Sequence, residues 1–230
     1  MRALGTLQCG NARQTSVSAT CSIGKFQGTP DGPPVASSHT PRDRTNRRDL
    51  VLEAARAAFV DEGYQKASMR SIATRAGMTQ AALYYHFSDK DAILMEILEE
   101  HALQMAQLLE AAYDECKDVR RRLRQVCAAH LDLLFEHPSS VQIVIEENRH
   151  LTEANKIRIR DLQRRVLQVY VKSITARQPA GADSHKIRVQ AFSTIGALNW
   201  VYHWHAPTTP TDVNLLKEQI VDFVLKGVDG

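Results

Sequence analysis

Thr79, Gln80, Ala81, Tyr84, Tyr85 and His86 occupy a stretch where a solvent-facing helix ordinarily carries Glu and Lys. Their chemistry is that of recognition. A glutamine amide presents a donor and an acceptor side by side, and a tyrosine joins an apolar ring to a hydroxyl that donates to anionic oxygen. Large aromatics with polar tips suit a flat, polar partner better than they suit bulk water. Small Ala81 and Ala82 would let a backbone approach that partner closely.

The surrounding residues position this stretch. Val51, Ala54, Ala55, Ala58 and Phe59 recur at helical spacing and Gly63 follows as a stop. Ser68 is expected to cap a short helix that Gly77 ends, and Thr79 to cap the next. Ile72, Ala73, Ala76, Met78 and Leu83 form one apolar set, with Ala73 small enough for a second helix to cross it. Gly77 supplies the positive φ of a tight turn. The expectation is a helix-turn-helix whose second helix, Thr79–His86, is too short to stand alone and must be held by its neighbours. A major groove admits one such helix, so Gln80 is expected at a base edge and the tyrosines at phosphates. Ser88 with Asp91 has capping-box spacing and opens a long helix to about Glu115.

Here the sequence resembles a known family. From "RRDLVLEAARAAFVDEGY" through "ASMRSIATRAGMTQAALYYHFSDKDAIL" it is similar to the DNA-binding domain of TetR-type transcriptional regulators, and "LYYHFSDKDAIL" carries the family's Leu-Tyr-x-His-Phe-x-x-Lys-x-x-Leu run. The resemblance covers about 47–95. It implies DNA contacts from Arg70, Thr79, Gln80, Ala81, Tyr84, Tyr85, His86 and Lys90, the last at a phosphate beside a helix N-terminus. Arg44, Arg47 and Arg48 are candidates for an arm reaching the duplex. It also implies that the remainder binds a ligand and forms a homodimer on a two-fold-symmetric operator.

Beyond residue 95 further helices are expected at about 118–136, 138–151, 153–177, 184–205 and 212–228, with breaks at Pro138, "RQPAGADS" and "APTTPTD". The fold class is therefore all-α: a three-helix reading head, then a helical ligand-binding and dimerisation domain, about nine helices in all. The boundaries expected are a disordered Gly/Ser/Pro-rich tail over 1–45, the head over 46–94 and the body over 95–230. "IRVQAFSTIGALNWVYHW" and the Leu216, Ile220, Phe223, Val224 stripe point to a four-helix dimer seam, or equally to intrachain core. The run holding Asn199, Trp200 and Trp204 resembles acyl-CoA-responsive regulators of the family. Arg160 and Arg164 continue a basic row from Lys156, and Arg120 with Arg124 makes a second, suited to a ligand's phosphates or to plain solvation. The ligand classes left open are an acyl-CoA and a hydrophobic xenobiotic.

Bulk features fit this reading. From Arg42 to Lys90 there are nine Lys and Arg against six Asp and Glu, while the rest of the chain to residue 230 is close to neutral. Cys9, Cys21, Cys116 and Cys127 show no paired spacing and are expected as free thiols of a cytoplasmic protein. No run is apolar enough to span a membrane. His130 and His137 stand about 10 Å apart along a helix axis, too far for one metal ion. The sequence holds no GxSxG, HExxH, P-loop or dinucleotide fingerprint, so neither an enzyme nor a cofactor is expected. A constitutive architectural DNA binder would not need so large a body.

Overall fold

The computed structural model of the chain describes residues 41–204 and 210–229, which form nine α-helices without a strand among them. The tail expected over 1–45 lies mostly outside the described residues. Its last part is helical, because α1 (Pro41–Glu62) opens at Pro41, where proline's fixed φ suits a first helical turn. Val51, Ala54, Ala55, Ala58 and Phe59 of α1 are all buried, as their spacing requires.

Local signals set the head. Ser68 and Ser71 make a reciprocal capping box at the start of α2 (Met69–Arg75). Gly77 takes φ +65° at the turn, and Thr79 caps α3 (Gln80–His86) by accepting a bond from the Ala82 N–H at 3.2 Å. Ile72, Ala73 and Leu83 are buried beneath it, with Ala76 and Met78 packed at the margin. One register differs from expectation. Asp89, not Ser88, caps α4 (Lys90–Glu115), accepting from Ala92 N–H at 2.7 Å, because a carboxylate serves a helix N-terminus better than a hydroxyl.

The body comprises α5 (Val119–Glu136), α6 (Pro138–Glu147), α7 (Glu153–Thr175), α8 (Ser184–Trp204) and α9 (Pro210–Asp229). The helix expected over 138–151 ends early, and a 3₁₀ turn over Asn148–His150 follows. There the chain turns to meet the head. Glu147 Oε1 accepts from the Tyr64 N–H at 3.3 Å, and His150 stacks on the Tyr64 ring at 5.2 Å.

Two hydrophobic cores result, and α4 passes through both. Ile93, Leu94, Ile97 and Leu98 belong to the head's core, while Met105, Ala106, Leu109 and Ala112 belong to the body's. Ile143 of α6 and Ile159 of α7 close the head's core from below. Acidic residues of α4 tie it sideways. Glu96 and Glu100 pair with Arg48 and Arg56 of α1, and Glu99 and Glu110 with Arg158 and Arg165 of α7. Each exposed pair contributes little alone, but together they fix the strut between the head and the body.

Candidate nucleic-acid interface and apolar cavity

Seven residues make a helix that could not persist in water. Leu83 and the following Phe87, both buried, anchor α3 and turn its other side outward. On that side Gln80 and Ala81 are exposed, Tyr84 is 49% accessible and Tyr85 69%. Arg70 is exposed on neighbouring α2, and Arg47 is exposed on α1. His86 is half-buried, its ring edge-on to Tyr85 at 5.3 Å. The Thr79 hydroxyl is engaged in the cap, so its methyl is the part free to meet a partner.

Two basic residues expected on this face are turned inward. Arg48 holds Glu96 with two nitrogens and donates to the His86 carbonyl at 3.0 Å, its guanidinium 4.2 Å from the Phe87 ring. It locks the C-terminus of α3 to α1 and α4. Lys90 donates from Nζ to the carbonyls of Tyr64 at 2.6 Å and Ala67 at 2.9 Å, with Gln65 at 3.4 Å. Its ammonium also lies 4.3 Å from the Tyr64 ring. Both therefore position the reading helix in this structure. The partners lie many residues away in the chain, which is why spacing did not disclose them.

The body encloses a cavity of about 470 Å³ between α4, α5, α6, α7 and α8. Its wall is mainly apolar, with Leu98 and Met105 from α4, Val141 and Ile145 from α6, and Leu167 and Ile195 from the α7–α8 pair. Arg160, Arg164 and Arg188 line it and are exposed, so they mark where it opens to solvent. Arg164 pairs with Asp161 at 2.7 Å, whereas Arg188 has no ion-pair partner among the described residues.

Asn199 also lines the cavity, but Trp200 does not. Adjacent helical residues differ by about 100° around the axis, so a face holding Arg188, Phe192, Ile195 and Asn199 leaves Trp200 on the exposed side. The Trp204 side chain lies outside the described residues. Of the second basic row, Arg120 is exposed and Arg124 pairs with Asp222 of α9, and neither reaches the cavity.

Polar groups stand behind the wall. His130 is buried, and burial pushes its imidazole down to about 4, so it is neutral and has one donor. Its Nε2 lies 3.1 Å from Asn199 Oδ1 and its Nδ1 lies 2.8 Å from the Tyr170 hydroxyl. An amide oxygen only accepts, so Nε2–H donates to Asn199 and the Tyr170 O–H donates to Nδ1. The Cys127 thiol, close to Tyr170 in the same core, is pushed up to about 12 by burial and stays protonated. His101 of α4 is the cavity's other histidine. Burial, with His137 and Arg56 nearby, brings it down to about 4 as well. Among the described residues no group of His, Cys, Asp or Glu is arranged to hold a metal ion.

Residues 51–97 match the family described as bacterial regulatory proteins, tetR family, and residues 116–228 match the tetracyclin repressor-like C-terminal domain. The transcriptional activator FasR of Mycolicibacterium smegmatis is 30% identical over 82% of this chain and 84% of that protein. The chain belongs to the TetR family. It is accordingly a DNA-binding transcriptional regulator and not an enzyme. The HTH-type transcriptional repressor KstR2 of Rhodococcus jostii is 24% identical over 80% of this chain and 92% of its own. Among solved structures, PfmR of Thermus thermophilus aligns with a TM-score of 0.69 at 23% identity, covering 76% of this chain and 97% of that one. AibR, determined with isovaleryl coenzyme A and operator DNA, aligns with a TM-score of 0.66 at 24% identity over 79% of this chain and 97% of that one. At these identities the structures establish a shared TetR fold. No helix among the described residues is long and apolar enough to cross a membrane.

The exposed face of α3 supports a direct test of base reading. Gln80→Ala should change which bases are preferred at one position of each half-site, costing about 1–3 kcal/mol against the preferred base. Tyr84→Ala should instead weaken every sequence alike. Binding-site selection on randomised duplexes separates the two. Unchanged preference and affinity in both variants would remove α3 from the interface.

Proposed function

We propose that this TetR-family chain is a cytoplasmic, homodimeric repressor that binds a palindromic operator and is released from it by an acyl-CoA. The observation that carries the ligand class is the cavity itself, an apolar interior opening between Arg160, Arg164 and Arg188. A fatty chain matches the interior and the phosphates of the nucleotide match the guanidinium groups at the opening. A neutral drug would leave those cations without a role.

At the operator, Gln80 and Ala81 would face bases while Arg70, Tyr84 and Tyr85 face the backbone. One short helix reads one half-site, and the second comes from a partner copy. Val189 on α8 and Leu215 and Phe223 on α9 are exposed, Phe223 at 73%, and such apolar area suits a partner helix pair. Reading helices in a symmetric pair must stand about one duplex turn apart, roughly 34 Å.

Release follows if the ligand binds better when that spacing is wrong, since equal affinity for both arrangements shifts nothing. Two elements connect the cavity to the head. α4 lines the cavity with Leu98 and Met105 and carries Lys90 at its start. α6 lines it with Val141 and Ile145 and ends at Glu147 against Tyr64. A chain wedged between them would tilt both against α1.

The experiment is titration of the operator complex with acyl-CoAs of several chain lengths and with planar cationic and neutral drugs. Release at micromolar acyl-CoA is expected, and Arg160→Ala with Arg164→Ala should raise the concentration needed about tenfold or more. Release by a drug alone, with the arginines indifferent, would make this a xenobiotic sensor instead.

A further inference from the structure

Most of the cavity wall is apolar, so a polar side chain held in one orientation there selects among ligands more sharply than the wall does. Asn199 is that side chain. Its Oδ1 accepts from His130 Nε2 at 3.1 Å, and the imidazole cannot turn, because its other nitrogen is held by the Tyr170 hydroxyl at 2.8 Å. His130 and Tyr170 are themselves buried in the body's core. The row from Tyr170 through His130 to Asn199 runs in one direction, each group donating to the next. Its direction fixes the amide. With Oδ1 committed, only the Nδ2 amino group remains, and it has no hydrogen-bond partner among the described residues.

From this geometry we infer that Asn199 presents a fixed N–H donor to a carbonyl oxygen of the bound ligand. The inference deepens the acyl-CoA reading and rests on it, the carbonyl being that of the thioester. The position is apt for that group. Asn199 is exposed where the cavity meets solvent, while Leu98 and Met105 lie on the interior side. A chain entering tail-first therefore brings its head-group linkage to the amide. A ligand offering only a donor there, such as a terminal hydroxyl held in donor orientation, finds no acceptor. A ligand with neither group leaves the exposed Nδ2 to water and gains no bond there. His130 and Tyr170 act as positioning residues, since they touch Asn199 rather than the ligand.

The test compares two probes on the full chain bound to operator DNA: a long-chain acyl-CoA, and the S-alkyl-CoA thioether of equal chain length. The thioether keeps the nucleotide, the sulfur and the chain and lacks only the carbonyl. Wild-type protein should need about tenfold more thioether than thioester for half-maximal release. Asn199→Ala should close that gap by weakening the thioester response while leaving the thioether response within about twofold. Tyr170→Phe keeps the ring in the core and frees the imidazole, so it should narrow the gap partway without changing the thioether response. A structural role for Asn199 would instead shift both probes equally, which overturns the inference. Equal response of the wild type to both probes also overturns it while leaving the acyl-CoA reading in place. Failure of the wild type to respond to either probe overturns the acyl-CoA reading and the inference together.

Discussion

Lys90→Ala should weaken operator binding on the order of a hundredfold at every sequence, and should lower the unfolding midpoint as well. The ammonium donates to carbonyls of Tyr64 and Ala67, both buried residues, with Gln65 at longer range. A charge-assisted bond of this kind contributes about 1.5–3 kcal/mol, and carbonyls left without it bear a desolvation cost. The connector between α1 and α2 would loosen first. That connector also carries the Tyr64 N–H to Glu147 and the Tyr64 hydroxyl to Asp91. Loosening it frees α2 and α3 from the strut that aims them, and binding then has to include the cost of reordering them. Because the ammonium is engaged with the protein, the salt dependence of binding should change little. Arg70→Ala offers the contrast: its guanidinium is exposed, so its loss should flatten the salt slope by about one with the fold undisturbed. Anisotropy titrations at several salt concentrations, with thermal melts alongside, separate the two. A Lys90→Ala protein that melts like wild type and loses one unit of slope would make Lys90 a phosphate ligand.

The head was the most legible part of the chain because its determinants are local. Gly77 at a positive φ, Ser68 and Thr79 as caps, and Leu83 as anchor each act within a few residues, where periodicity and capping rules operate. What local pattern omits is destination. Arg48 reads as part of a basic arm and Lys90 as a phosphate contact until Glu96 and the connector carbonyls are brought to them by the crossing of α1 and α4. The cavity shows the same limit. Arg160 and Arg164 were visible as a row, but Arg188 joins them only once α8 folds back along α7. Asn199 and Trp200 are both candidates by sequence, yet only Asn199 faces the cavity, a difference of one position on a helix. His101 and His130, far apart in sequence, meet one space because α4 and α5 share it.

Acidification from pH 7 toward 4.5 should destabilise the folded chain by several kcal/mol, through the two buried imidazoles. Both His101 and His130 are held down to about 4 in the folded state, chiefly by burial, against about 6.5 in an unfolded chain. A depressed histidine favours the fold while neutral. Its contribution is therefore complete above about pH 6.5 and is lost as pH falls toward about 4, because the unfolded chain takes up the proton first. Each such group steepens the dependence by up to about 1.4 kcal/mol per pH unit within that window. Geometry agrees with the sign. His101 Nδ1 is buried without a hydrogen-bond partner, so a second ring proton would have no acceptor. At His130 a proton on Nδ1 would confront the Tyr170 hydroxyl already donating to it. The exposed carboxylates Glu110 and Glu153 are held low by Arg165 and Lys156, so whatever they contribute fades mainly below this window. Urea midpoints measured from pH 7.5 to 4.5 should fall steeply in the wild type. His130→Gln should begin less stable at pH 7.5, having lost the Tyr170 and Asn199 bonds, and then decline less steeply, so that the two curves converge. Parallel curves through that range would show that protonation of His130 is not what acid does to this fold.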